Sequence, residues 1–523
     1  MQRSGRMPVA LAVLALTLLG ALIRWAVIGR EALWIDEAFT PLVSMIPVAD
    51  LFGPADPSGP VYYLVQKFVA GSAADPVSLR LSSLVAGTVL IPVAALLGGR
   101  LAGPVAAVAS AALVALSPPL VDYSVEARGY MLLALLLTAN ALALVAAEET
   151  VGRGARRLWL LLFAVTGGLA LMTHLAAFPV IGLSSLWLLL SNWRRSSAVT
   201  LLEAGTTLLP VVAVGLAELH RMFVYERDSG FLFSWLEQFG LVKLLAAIGW
   251  QWLPATYGAP LWLAALALLV VAGGAIWMAR GRIRAAFARG DSKALVMAGW
   301  LSLPLWLWLT GFLIKPVVMS RTVLPVLPAA LVLAAVGIAA LRGRARGVAV
   351  LLASVATLGG FVTQGPVRER EDWYAVREAL LAREQATVVV CPYWKGQVYL
   401  ANMPAGWRRA AVLREGFEVV DARSSPTWTR EARAMLYGPS DGAAKEASRV
   451  TARERLFVIK SMCSPEEEAL IAQAFGLGAP ASVWHAPVGT EGADPGLALP
   501  YAIRIEEYRL DRPVVVGAIR YRP

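Results

Sequence analysis

Residues 7–29 read MPVALAVLALTLLGALIRWAVIG, and residues 33–40, just beyond them, read LWIDEAFT. The first stretch carries one charge, Arg24, near its end, and as an α-helix it is long enough to cross about 30 Å of hydrocarbon. The second sets two acids beside a tryptophan where the chain leaves that helix. The apolar run follows Arg3 and Arg6, as a secretory signal would. It is long for a signal's apolar region, however, and no small-x-small cleavage pattern follows, so it reads as an uncleaved first span.

Runs of the same kind recur at 79–98, 103–121, 128–147, 157–173, 175–191, 199–217, 258–279, 294–314, 322–341 and 347–364. Together they predict an α-helical polytopic membrane protein of about eleven transmembrane helices, all before residue 366. Composition agrees: 523 residues at 58% hydrophobic and 16% charged carry more apolar surface than a soluble core can hide. Two domains are expected, a membrane domain over 1–365, with outer loops at 30–78 and 218–257, and a soluble domain over 366–523.

Basic residues gather in alternate short loops: Arg3/Arg6, Arg100, Arg153/Arg156/Arg157, Arg194/Arg195, Arg280 through Lys293, and Arg342/Arg344/Arg346. The positive-inside rule makes these cytoplasmic and puts the other set outside, with Asp36, Glu37, Asp50, Asp56, Asp75, Asp122, Glu126, Glu218, Glu226, Asp228 and Glu237. The expected location is the cell (inner) membrane, N-terminus cytoplasmic and C-terminal domain extracytoplasmic. The net charge of +11 then reports topology and contact with anionic lipids, and no nucleic-acid partner is expected.

In the tail, 387–391 (TVVVC), 456–459 (LFVI) and 501–505 (YAIRI) read as short strands. Ser464-Pro465-Glu466-Glu467 is a capping box with proline at the first helical position, so a helix over 465–475 follows. The alternation predicts a small α/β domain. Its cysteines, Cys391 and Cys463, are the only two in the chain, and spacing leaves open a disulfide or two buried thiols.

Chemistry is expected in the outer segments. Asp36 and Glu37 offer carboxylates at the membrane interface, able to take a proton from a hydroxyl or to hold a divalent cation. Asp56-Pro57-Ser58-Gly59-Pro60 is a fixed turn that can return Asp56 toward them, and Tyr62 and Tyr63 follow it into a short interfacial helix. Glu126 and Arg128 lie at a helix mouth, where an arginine suits lipid phosphate oxygens. Lys315 and Arg321 add two cations at headgroup depth. His174, at the end of the fifth run, is a candidate metal ligand with Glu37 and Asp56, a proton-transfer group, or a satisfied structural histidine; His220 is a weaker candidate of the same kind.

In this order the segments resemble the bacterial relatives of the dolichyl-phosphate-mannose protein mannosyltransferases, within the GT-C class of membrane glycosyltransferases. The resemblance rests on Leu33 to Glu37, Asp56 to Tyr63, Tyr123-Ser124 through Arg128-Gly129-Tyr130, Thr173-His174, and Arg321 to Pro325. It covers roughly residues 1–330. Two positions depart from it: the second motif carries Ser58-Gly59-Pro60 where the family has His-Pro-Pro, and Thr322 follows Arg321 where tyrosine is common.

The resemblance implies inverting transfer of a sugar from a polyprenyl-phosphate-linked donor to a hydroxyl of a glycan, lipid or protein acceptor outside the cytoplasm. Asp36 is then the expected base, Glu37 and Asp56 supporting carboxylates, and Arg128, Lys315 and Arg321 the phosphate contacts. A flippase or transporter of lipid-linked sugars is the alternative. It would set polar groups near the membrane midplane, where the runs are nearly free of charge; Glu203 is the main exception.

Overall fold

The computed structural model describes residues 6–45, 47–53, 58–70, 75–194, 198–229, 240, 292–314, 316–351, 371–392, 395–407, 409–413, 417–421, 450–461, 463–486 and 503–516. Asp56 and Lys315 lie outside these, as do the expected run 258–279 and most of 347–364.

The membrane domain opens with α1 (Arg6–Val27), then three short helices, α2 (Ile35–Met45), α3 (Val48–Leu51) and α4 (Pro60–Val69). The long α5 (Pro76–Ala102) follows, started by Pro76 at N1 and by Asp75, whose carboxylate accepts the Ser78 N–H at 2.9 Å. Next come α6 (Pro104–Leu116), α7 (Pro118–Ser124), α8 (Tyr130–Glu149), α9 (Arg153–Leu171), α10 (Ala177–Arg194) and α11 (Ala198–Ser229). Then come α12 (Ser292–Leu301), α13 (Leu303–Leu313), α14 (Ser320–Val323) and α15 (Leu327–Ala340), and the described residues 343–351 are helical as well. At the centre, α5 touches α1, α6, α8 and α15, and the largest apolar cluster is built around α5 and α8.

Among the described residues six helices are long and apolar enough to span a membrane, or seven if α6 and α7 count as one bent span. Three expectations change. Run 103–121 is broken between α6 and α7 by a bend of 59°, run 294–314 is split at Ser302, and residues 218–229 prolong α11 instead of opening a loop.

The bend has a cause in the sequence. Amides at 118 and 119 would reach the carbonyls of Val114 and Ala115 four residues back, but both positions are proline and carry no N–H. In hydrocarbon those carbonyls need another donor. Arg24 of α1 supplies it, fully buried, donating Nη2 to Val114 O at 3.3 Å and Nη1 to Ala115 O at 3.1 Å. Its Nε donates to Ser124 Oγ at 2.9 Å, at the far end of α7. The lone charge of the first span thus replaces two missing backbone donors.

At the membrane domain's other end charges pair with each other. Arg100 and Lys293 meet Glu149 at 3.0 and 2.6 Å. Glu203 bridges Arg156 and Arg157, so the acid that stood out inside a run is a structural partner of basic-loop residues.

The C-terminal domain starts with α16 (Trp373–Leu381) and contains α17 (Lys395–Asn402) and α18 (Pro465–Phe475). Its mixed sheet runs β3-β2-β1-β5-β7-β6, with β1 (Thr387–Cys391) parallel to β2 (Arg409–Leu413) and to β5 (Arg455–Lys460). The other pairings, of β3 (Phe417–Asp421), β6 (Ser482–His485) and β7 (Arg504–Arg509), are antiparallel. The capping box forms as read: Ser464 Oγ accepts the Glu467 N–H at 3.2 Å and Glu467 Oε2 accepts the Ser464 N–H at 2.9 Å. The strand expected at 501–505 starts three residues later, at Arg504. Cys391 and Cys463 are joined as a disulfide, with Cα atoms 5.3 Å apart, so it ties the end of β1 to the segment after β5. Glu371 accepts from Lys395 Nζ, from Ser461 Oγ at 2.7 Å and from Trp373 Nε1 at 2.8 Å, fastening the domain's first residues to its sheet.

Replacing Arg24 tests the proline account. Arg24→Leu strands two buried carbonyls and is expected to cost about 2 to 5 kcal/mol, read as a lower unfolding midpoint in detergent; Arg24→Lys, which keeps one cationic donor group, should fall between. A Leu variant as stable as wild type would remove the account.

Candidate active site

The site forms where α2, the α7–α8 junction, the 58–63 segment and the 316–323 segment meet. In α2 the adjacent acids point in different directions, as successive helical side chains must. Glu37 turns inward and is fully buried. Arg80 of α5 grips it with both forks, Nε to Oε1 and Nη2 to Oε2, each at 2.7 Å. The same guanidinium caps the end of the first span, donating to the carbonyls of Ile28, Glu31 and Ala32 at 2.9, 2.8 and 3.1 Å.

Glu37 does one thing more. Its Oε1 accepts the Ala127 N–H at 2.7 Å, while Thr40, one turn along α2, donates to Ala127 O at 2.6 Å. Both backbone polar atoms of Ala127 are held from α2, and Ser83 Oγ donates to Arg128 O at 3.1 Å. The backbone that carries Arg128 is therefore fixed from two sides.

Asp36 turns the other way, toward Arg321. Its Oδ2 lies 2.6 Å from Arg321 Nη1, and the two side chains keep 20% and 15% exposure, where Glu37 has none. Arg321 also lies over the Trp34 ring, 5.6 Å from its centroid, so the residue two before Asp36 helps set the arginine's plane. Tyr130, Tyr123 and Glu126 are within electrostatic reach of the same guanidinium.

Arg128 donates Nη1 to the Tyr63 hydroxyl at 3.0 Å and Nη2 to Ser58 Oγ at 3.1 Å. Ser58, at the position that departs from the family pattern, is thus a support for Arg128, and its carbonyl accepts Arg221 Nη2 at 3.3 Å. Arg221 is paired with Glu218 at 2.8 Å. Gly59 is required by contact: a Cβ there would stand 1.8 Å from Met172 O, because the Gly59 and Val61 amides bond the carbonyls of Thr173 and Met172, each at 3.1 Å. Tyr62 and Tyr63 are 1% exposed, which takes them out of any lipid-facing aromatic belt; Tyr62 OH accepts from Ser82 Oγ.

His174 packs against Tyr130, ring centroids 5.5 Å apart, and its Nδ1 accepts the Ala176 N–H at 3.1 Å. Burial, then the charges of Arg128 and Arg321, push its pKa down to about 3, so it is neutral near pH 7 with its proton on Nε2. Neither nitrogen then offers a lone pair to a cation. Of the expected metal ligands, Glu37 is engaged by Arg80 and Ala127, His174 Nδ1 accepts the Ala176 N–H, and Asp56 lies outside the described residues. The one ligand-like cluster found there, Cys391, Cys463 and Glu467, has its two sulfurs bonded to each other. His220 is exposed on α11.

The residues brought together are Asp36, Glu126, Arg128, His174, Tyr63 and Arg321. Sequence reading missed Arg80 and Arg221 as parts of the site, and it gave Trp34 no role beyond its place beside the acids. The signal for Arg80 was present: an arginine at the start of an apolar run needs a carboxylate, and Glu37 is close in the preceding loop.

Two substitutions separate support from chemistry. Glu37→Gln leaves the buried Arg80 charge without its counter-ion and should cost about 3 to 5 kcal/mol of stability, seen in the unfolding midpoint; a midpoint equal to that of wild type would contradict the geometry. Gly59→Ala forces the 58–63 segment off Met172, an expected loss of about 1 to 3 kcal/mol in the same measurement.

No family model matches the sequence, and no curated protein matches it. Solved structures do. ArnT from Cupriavidus metallidurans in the apo state aligns over 97% of this chain and 98% of its own, with 14% identity and a TM-score of 0.56. The same protein bound to undecaprenyl phosphate aligns over 96% and 97%, with 14% identity and a TM-score of 0.50. The oligosaccharyltransferase of Archaeoglobus fulgidus in complex with Zn and sulfate aligns over 92% of this chain and 72% of its own, with 12% identity and a TM-score of 0.50. The likeness takes in the tail as well as the helices, and the chain has the fold of these proteins.

Proposed function

We propose that this chain transfers a sugar from a polyprenyl-phosphate carrier to a hydroxyl acceptor at the outer face of the membrane, with inversion at the anomeric carbon. The observation that carries the reading is the half-open pair of Asp36 and Arg321, 2.6 Å apart, with a second guanidinium, Arg128, within electrostatic reach of the same Tyr130 and His174. A carboxylate for a proton and cations for a leaving phosphate are what this reaction needs side by side.

In the resting state Arg321 holds Asp36. When the donor's phosphate engages Arg321 and Arg128, it competes with the carboxylate for the guanidinium and leaves Asp36 free to face the acceptor. The acceptor O–H gives its proton to Asp36 as its oxygen attacks the anomeric carbon. The bond from that carbon to the phosphate oxygen breaks, and the electron pair departs on the phosphate, where the arginines neutralise it. Glu37 acts through Arg80 and Ala127 and does not touch the reacting atoms. ArnT's complex with undecaprenyl phosphate supports a lipid-phosphate ligand in this fold.

The face is inferred from two independent features. Basic loops mark one end of the helices and the candidate site lies toward the other, and the Cys391–Cys463 disulfide of the tail favours an oxidising compartment. Transport is disfavoured because, among the described residues, charges within the span helices such as Arg24, Arg80, Glu203, Glu218 and Arg221 are each bound to structural partners.

The test uses purified protein in detergent with a radiolabelled polyprenyl-phosphate sugar and mixed acceptors. Wild type should form covalent product with no vesicle present. Asp36→Asn should lose about 100-fold or more in rate while binding the carrier lipid and unfolding at the wild-type temperature. A fully active Asp36→Asn would sink the assignment of the base, and uptake into vesicles without covalent product would sink the enzyme reading.

A further inference from the structure

One side chain of the C-terminal domain hydrogen-bonds the segment that leads into the candidate site. Asn402, the last residue of α17, is 6% exposed, and its carboxamide lies against the peptide of Leu33, which is fully buried. The contact is two-point: Asn402 Oδ1 accepts the Leu33 N–H at 3.0 Å and Nδ2 donates to Leu33 O at 2.8 Å. Nδ2 also donates to Val398 O at 2.9 Å, so the carboxamide is held by its own helix. Only one orientation of the amide satisfies all three partners.

The place of this contact matters. Leu33 immediately precedes Trp34, whose carbonyl accepts the Ala38 N–H at 2.9 Å and so opens α2, and whose ring lies against Arg321. Asp36 is in the first turn of that helix. A matched donor and acceptor on one residue fixes the peptide units on both sides of its Cα, in rotation as well as distance, which apolar packing alone does not. The domains are already held together by an apolar cluster in which Ala32, Leu33 and Ala38 meet Trp373, Val398 and Leu400. The carboxamide is thus not needed simply to keep them attached.

We infer that Asn402 is a positioning residue for the candidate base, supplied by the C-terminal domain: by clamping the Leu33 peptide it sets the entry of α2 and hence the aim of Asp36 at the acceptor. The inference rests on the reading of Asp36 as the base. It gives the tail a part in the reaction without placing any tail atom at the reacting centre.

The experiment compares full-length wild type, Asn402→Ala and Asn402→Asp in nanodiscs. Hydrogen exchange is followed over residues 31–40 and over the tail strands 387–391 and 455–460, and kcat and the donor KM are measured. Asn402→Ala should speed exchange over 31–40 by about tenfold and lower kcat by about tenfold or more. Donor KM should stay within about twofold, and the tail strands should keep their protection. Asn402→Asp retains the acceptor for Leu33 N–H and loses the donor to Leu33 O, so it should lie between. Unchanged exchange over 31–40 overturns the clamp, and faster exchange with wild-type kcat overturns its role in positioning. Should Asn402→Ala also unprotect the tail strands, Asn402→Asp decides by the same criteria. A wild type that transfers no sugar defeats the reading of the site instead, and the exchange data still judge the clamp.

Discussion

Arg80 and Glu37 form a charge pair with no access to water, and the geometry of the site depends on it. Burying two ions is costly unless every donor and acceptor is used. Here the guanidinium serves both oxygens of Glu37 and three carbonyls at the end of the first span, and Glu37 spends what remains on the amide of Ala127. One ion pair therefore joins the exit of α1, the start of α2, the N-terminal end of α5 and the turn that carries Arg128. With those parts fixed, Asp36 faces Arg321. Two adjacent acids thus divide the work, one holding the frame and the other meeting Arg321.

How much of this was legible in the sequence varied with the kind of information each feature carries. Apolar runs are compositional, so the membrane class could be read directly, whereas the breaks at Pro118-Pro119 and Ser302 depend on local donors and were hidden inside runs of the right length. The segments that meet at the site were found because polar groups are rare at that depth. The roles of Asp36 and Glu37 were not separable, since neighbours on a helix differ only in the face they present, and what lies on each face is decided by α5 and by the 316–323 segment. Tyr62 and Tyr63 were read into a short interfacial helix, but only the packing of α4 shows that both turn inward.

In the tail the pattern reversed. The capping box at Ser464 and the strand at Thr387–Cys391 are local signals and appear as read. The pairing of Cys391 with Cys463 is a matter of which strands lie side by side, and only the parallel register of β1 with β5 brings the two together. Asn402 is the extreme case. A lone asparagine at the end of a short helix carries no sequence signal, and its partner is a backbone group on the far side of the domain boundary.

Arg24 also bears on how the membrane domain is assembled. The first span emerges with an arginine whose partners, the carbonyls of Val114 and Ala115, belong to a helix synthesised some ninety residues later. An arginine costs up to about 3 kcal/mol at the centre of a lone helix and less near an end, a cost that α1 bears until α6 and α7 arrive. The proline break is equally incomplete until then, since its carbonyls have no donor of their own. Each segment completes the hydrogen bonding of the other, which ties any change at Pro118 or Pro119 to a change at residue 24.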